Sequence, residues 1–106
     1  MSVSESNMLD GVALSEEGAL VLLITDHLDW ENEYEHLYTL QNKMNAYVHY
    51  CESGQYQQFT QGKEPKYAVI EIHFLYEPTE TALRFLNSVQ EQIGGMGIRI
   101  ECHIST

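Results

Sequence analysis

Two segments toward the C-terminal end alternate so regularly that they fix the kind of layer this chain can build. Between Lys66 and Tyr76, Ala68, Ile70, Ile72 and Phe74 occupy one parity, and Val69, Glu71, His73 and Leu75 the other. Between Ile98 and Ser105, Ile98, Ile100, Cys102 and Ile104 alternate with Arg99, Glu101, His103 and Ser105. Neighbouring side chains on a strand point to opposite faces, so each segment predicts a strand with one face on a core and one largely polar face.

The segments joining them carry a different period. Ala82, Leu83, Phe85, Leu86, Val89 and Ile93 recur at three- and four-residue steps, which predicts an amphipathic helix with Pro78 at its start and Gly94-Gly95 at its end. A longer helix is expected from about Trp30, capped by Asp29, with Glu31 and Glu33 at the positive end of its dipole. Its stripe comprises Tyr34, Leu37, Leu40, Met44, Tyr47, Val48 and Cys51, and Gly54 stops it. The polar stretch 55–66 reads as a loop.

Ahead of these lie two apolar runs, Met8 to Leu14 and Ala19 to Thr25, split by Ser15-Glu16-Glu17-Gly18. A short polar turn with glycine between apolar runs is a hairpin signal. The element order is therefore β-β-α-β-α-β. The expected fold is α+β: a two-layer sandwich, a four-stranded sheet with two helices on one face. Right-handed crossovers on one face give the strand order 1-2-3-4 with the first strand antiparallel, although the long loop before strand 3 leaves room for a reversal.

Length and charge narrow the setting. The 106 residues fit one domain spanning 1–106, with a flexible polar N-terminus at 1–7. Five Lys and Arg stand against 16 Asp and Glu, a formal net charge of −11. That field repels phosphate backbones and anionic lipid, so neither nucleic acid nor a membrane surface is expected as partner. It attracts basic proteins and speeds their encounter. Five histidines are present, and protonation of most exposed imidazoles near pH 5.5 would move the charge toward about −6 and weaken such attraction. No run reaches the ~18 apolar residues of a membrane span, and the start lacks a signal-peptide pattern. Two cysteines without a C-x-x-C, Cys51 and Cys102, fit a reduced cytoplasm and core positions.

The stretch Leu20 to Glu31, with Asp26-His27-Leu28-Asp29-Trp30 as its most specific part, resembles a family of small uncharacterised bacterial proteins, a domain of unknown function. So do Glu52-Ser53-Gly54-Gln55 and Ile70-Glu71-Ile72-His73-Phe74. The likeness covers nearly the whole chain. It implies a compact bacterial cytoplasmic protein and brings no activity, cofactor or catalytic residue with it.

Three constellations could carry function. Glu71-x-His73 and Glu101-x-His103 each set a carboxylate and an imidazole on one strand face. On neighbouring strands in register, all four could ligate zinc or a similar divalent metal, unless Arg99 neutralises a carboxylate and the group is ordinary cross-strand pairing. Asp26, His27 and Asp29 follow strand 2, and Tyr76 and Glu77 follow strand 3 at the same sheet edge. There His27 could act as a base oriented by Asp26, although capping explains Asp29 as well. Finally, Val21, Leu23, Val69 and Leu75 put apolar side chains on the face away from the helices, a candidate surface for homodimerisation or a partner. No nucleophile or phosphate loop stands out. The leading expectation is a non-enzymatic acidic interaction module, for example an inhibitor or immunity-type partner of a basic protein. A small metal-binding protein or metal-dependent hydrolase is the first alternative, a structural homodimer the second.

Overall fold

A computed structural model describes Val3 and residues 9–104. Met8, Ser105 and the rest of the segment 1–7 lie outside the described residues. Strand β1 (Gly11–Leu14) and strand β2 (Ala19–Asp26) form the expected hairpin. Ser15 closes its turn: its backbone N–H donates to the Ala19 carbonyl and its hydroxyl accepts the Ala19 N–H. Gly18 sits there at φ +89°, a conformation that L side chains rarely adopt.

Helix α1 (Glu33–Ser53) crosses to a one-turn helix α2 (Gln57–Thr60), and strand β3 (Tyr67–Phe74) follows. Helix α3 (Glu80–Ile93) and a 3₁₀ turn at Gly94–Met96 lead into strand β4 (Ile98–Ile104). The sheet order is β1-β2-β3-β4, antiparallel at the hairpin and parallel at both later pairs. The expected architecture and strand order hold, and the loop before β3 produces no reversal.

The core lies between the sheet and the long helices. Leu20, Leu22 and Ile24 of β2 and Ile70, Ile72 and Phe74 of β3 pack against Leu40, Met44 and Tyr47 of α1 and Leu86 and Ile93 of α3. Burial of such side chains contributes about 1.5–3 kcal/mol each. Val3 joins this core, and its N–H donates to the Thr25 carbonyl. No helix among the described residues is long and apolar enough to cross a membrane.

Several local expectations need correction. Helix α1 starts three residues later than expected: Asn32 is its N-cap and accepts the Glu35 N–H, while Asp29 accepts the Glu31 N–H in a turn before the helix. Both are small acceptors ahead of the same apolar stripe, and the Asx turn at Asp29 consumes the residue that looked like the cap. Gly54 ends the helix at φ +77° as expected. Tyr34 is 82% exposed instead of lying on the buried stripe, because the turns of α1 put 34, 38 and 41 on the solvent side. The stretch 55–66 is not all loop, since α2 forms within it. Thr79 caps α3 by accepting the Ala82 N–H, and Pro78 stands just before the cap.

Cys51 packs against the core as expected. Cys102 is exposed, and so is Ile104. Both have core-side parity, but burial along β4 fades after Ile100 because the strand lies at the sheet edge. The first half of that edge is closed by Gln90, whose amide donates to the Ile98 carbonyl and accepts the Ile100 N–H.

Candidate functional site

The parallel register of β3 and β4 sets Glu71 opposite Glu101 and His73 opposite His103. All four side chains belong to the sheet face turned away from α1 and α3. His73 Nε2 donates to Glu71 Oε1 at 2.6 Å. The His103 ring stacks on the His73 ring at 4.7 Å between centroids, with planes 13° apart. His103 Nε2 stands 3.9 Å from Glu71 Oε1 and 3.7 Å from Glu101 Oε1, beyond hydrogen-bonding reach. Potential ligand atoms of Glu71, His73 and His103 all lie within 4.8 Å of one another. Arg99 shares this face but lies over the Tyr67 ring, 5.0 Å from its centroid. It pairs with no carboxylate among the described residues.

Beside the cluster runs a groove of about 530 Å³ lined by Gly11, Val12, Ala13, Val21, Leu23, Thr25, Glu71 and His73. Val21 and Leu23 are half-buried in it. Val69 adds little surface, being 4% exposed between its in-register neighbours Val21 and Arg99. Leu75 is exposed but falls beyond the end of β3 and outside the groove.

The end of β2 holds a second set of ionisable groups, arranged otherwise than the spacing implied. Asp26 has the parity of the helix-facing residues, so its carboxylate turns inward while His27 is exposed. Its partner is His36 of α1. His36 Nε2 lies 2.6 Å from Asp26 Oδ2, and Nδ1 lies 2.9 Å from the Asp29 carbonyl oxygen. Asp26 Oδ1 accepts the Leu28 N–H. Trp30 stacks on the His36 ring at 3.7 Å, and its indole N–H donates to the Tyr76 carbonyl. Both ring nitrogens of His36 are taken up by these buried contacts, so neither is presented to an open position where a base would work. The Asp26–His27 base does not form. Tyr76 reaches this end through its backbone, and Glu77 is exposed.

Next to this pair lies a buried network absent from any sequence expectation. Asp10 Oδ1 meets Lys43 Nζ at 3.0 Å with both side chains sealed from solvent. Asp10 Oδ2 accepts the Thr25 N–H and hydroxyl. The Tyr47 hydroxyl donates to the Leu23 carbonyl and accepts the Asp10 N–H. Burial, more than the nearby Asp10 charge, pushes the Tyr47 phenol up to about 12. Burial likewise pushes the Cys51 thiol up to about 11. This network pins β1, β2 and α1 together and offers no open ligand position. The available signal in the sequence was Lys43 itself, an ionisable residue on an otherwise apolar helical stripe.

Outside the core, α1 presents Tyr34 and Tyr38 to solvent, 82% and 65% exposed. Near them opens a cleft of about 430 Å³ lined by Leu28, Asp29, Asn32, Glu35, His36 and Thr39. With Asp29, Glu31 and Glu35 exposed alongside, this end of α1 is an acidic surface bearing two aromatic rings.

No curated protein and no solved structure matches the chain. Residues 1–106 match a family model described as a family of unknown function, DUF6572, and the protein belongs to that family.

Proposed function

We propose that the protein is a non-enzymatic interaction module that binds a basic protein through the first half of α1. The observation that carries this reading is the solvent-facing Tyr34–Tyr38 pair set among carboxylates. Tyrosine buries a large rigid area on association and loses little rotamer freedom, which is why it is enriched at binding surfaces. The neighbouring cleft has Asp29 and Glu35 in its wall, a fit for a lysine or arginine side chain. The chain's net charge of −11 adds long-range steering toward a cationic partner.

Co-purification from the native host at low salt tests it. A basic protein should accompany the wild type, release as salt rises, and be lost from a Tyr34→Ala/Tyr38→Ala variant that keeps its fold. Absence of a partner, or a partner held equally by the double variant, overturns the reading.

The groove at Val21 and Leu23 favours a second reading, self-association through the open sheet face. Light scattering across a concentration series decides it: a mass that stays at one chain removes it.

A further inference from the structure

From the open sheet face, on the opposite side of the sheet from α1, we infer a binding site for a divalent transition metal of the zinc type. Glu71, His73 and His103 are the ligands, with Glu101 as a fourth ligand or a partner to His103. The argument begins with register. Cross-strand pairs stabilise a sheet when opposite charges face each other, and like charges directly opposite destabilise it. Here the parallel pairing sets two carboxylates, Glu71 and Glu101, directly opposite each other, with the His73 and His103 rings opposite in the next row. A one-strand pairing rationale covers only the Glu71–His73 contact. It leaves two carboxylates facing each other and two imidazoles stacked ring on ring.

A cation held by Glu71, His73 and His103, with Glu101 beside it, offsets the repulsion between the facing carboxylates. The protein's own cation on this face does not serve, because Arg99 is drawn off over Tyr67. Donor chemistry also fits: imidazole and carboxylate are ordinary zinc ligands, and imidazole selects transition metals over calcium or magnesium. So does spacing. Ligands at about 2.0–2.1 Å from a tetrahedral ion stand about 3.3 Å from one another. The separations within the Glu71, His73 and His103 group run from 2.6 Å to no more than 4.8 Å, on either side of that value, so converging on one ion asks for side-chain adjustments of about an ångström.

The side chains remain accessible, between 29% and 47% exposed, so an ion has a direct route in. Glu71 and His73 are also in the wall of the groove that holds Val21 and Leu23. A coordination position left to solvent on that side would adjoin an apolar channel.

The test is zinc binding by the untagged full-length protein, read by competition with a chromophoric chelator at neutral pH. One equivalent should bind with a dissociation constant tighter than about 10 μM. His73→Ala and His103→Ala should each weaken binding by about tenfold or more, a loss that removal of a metal's supporting groups commonly reaches. His49→Ala, on the solvent side of α1, should leave it unchanged. Circular dichroism verifies that each variant keeps its fold. Affinity weaker than that limit, or affinity that either alanine variant at 73 or 103 leaves intact, overturns the site. Cobalt gives a second readout: visible ligand-field bands typical of four- or five-coordination should form in the wild type and vanish in His73→Ala. Bands that persist in that variant count against the assignment.

Discussion

Two carboxylate–histidine contacts in this molecule have the same length, 2.6 Å, and opposite surroundings. Asp26–His36 lies between sheet and helix with side chains at most 2% exposed, whereas Glu71–His73 lies on the open face at 29% and 43%. In the first, every polar atom is committed: the second ring nitrogen to the Asp29 carbonyl, the second carboxylate oxygen to the Leu28 N–H. The second has His103 and Glu101 alongside, and His103 Nε2 stands 3.9 Å from the Glu71 carboxylate and 3.7 Å from that of Glu101, too far for hydrogen bonds. Distance therefore does not separate a closed, fully partnered pair from an open one. Completeness of partners and access to solvent do.

The comparison can be broken most forcefully at the buried end. Lys43→Ala leaves Asp10 sealed with its charge uncompensated, and should cost about 3–5 kcal/mol in urea unfolding. A loss below about 1 kcal/mol would mean that the Asp10–Lys43 pair is not buried in solution. His36→Ala removes the partner of Asp26 and the stacking surface of Trp30, and should cost about 3 kcal/mol by the same reasoning.

Alkaline pH probes that end without changing the carboxylates. The Tyr47 phenol has an ordinary value of 10.0 and is raised to about 12 in the fold. Below pH 10 folded and unfolded chains both keep the proton, so nothing is lost. As pH rises from about 10 to 12 the unfolded chain ionises first, and stability should fall by on the order of 3 kcal/mol. Tyr47→Phe should flatten this part of the profile, and an unchanged slope would remove the assignment.

The smallest effect belongs to the open face. His73→Ala breaks a solvent-screened contact and should change stability in metal-free buffer by less than about 1 kcal/mol. A loss as large as that of His36→Ala would show that the two pairs are equivalent after all.

Strand parity made much of this legible in advance. Alternation at 68–74 and 98–104 identified which residues share a face, and short-range handedness rules then placed the strands in order. The same parity put Glu71, His73, Glu101 and His103 on one face, and the register, which parity leaves open by steps of two, then set Glu71 opposite Glu101 and His73 opposite His103. What parity could not reveal was pairing across long separations. Asp10 and Lys43 are 33 positions apart and each interrupts an apolar pattern, so each looked like an exception until they met. Asp26 found His36 instead of its sequence neighbour His27 because adjacent positions on and beyond a strand end part to opposite sides. Tyr34 was misplaced for a rotational reason: although it stands three residues before Leu37, it lies about 100° around the helix from the middle of the stripe formed by Leu37, Leu40, Met44 and Tyr47, which turns its ring to solvent.

The side-chain amide of Gln90, reaching from α3 to the outer edge of β4, bears on how the molecule meets its own copies. A bare sheet margin is a template on which another chain can add a strand and grow a fibril. By occupying one acceptor and one donor at the first half of that margin, a single glutamine makes strand-by-strand stacking begin on a broken row. Its replacement by alanine would expose a longer template while barely touching the core, so the penalty would fall on colloidal behaviour during concentration and storage, with little change in the melting point.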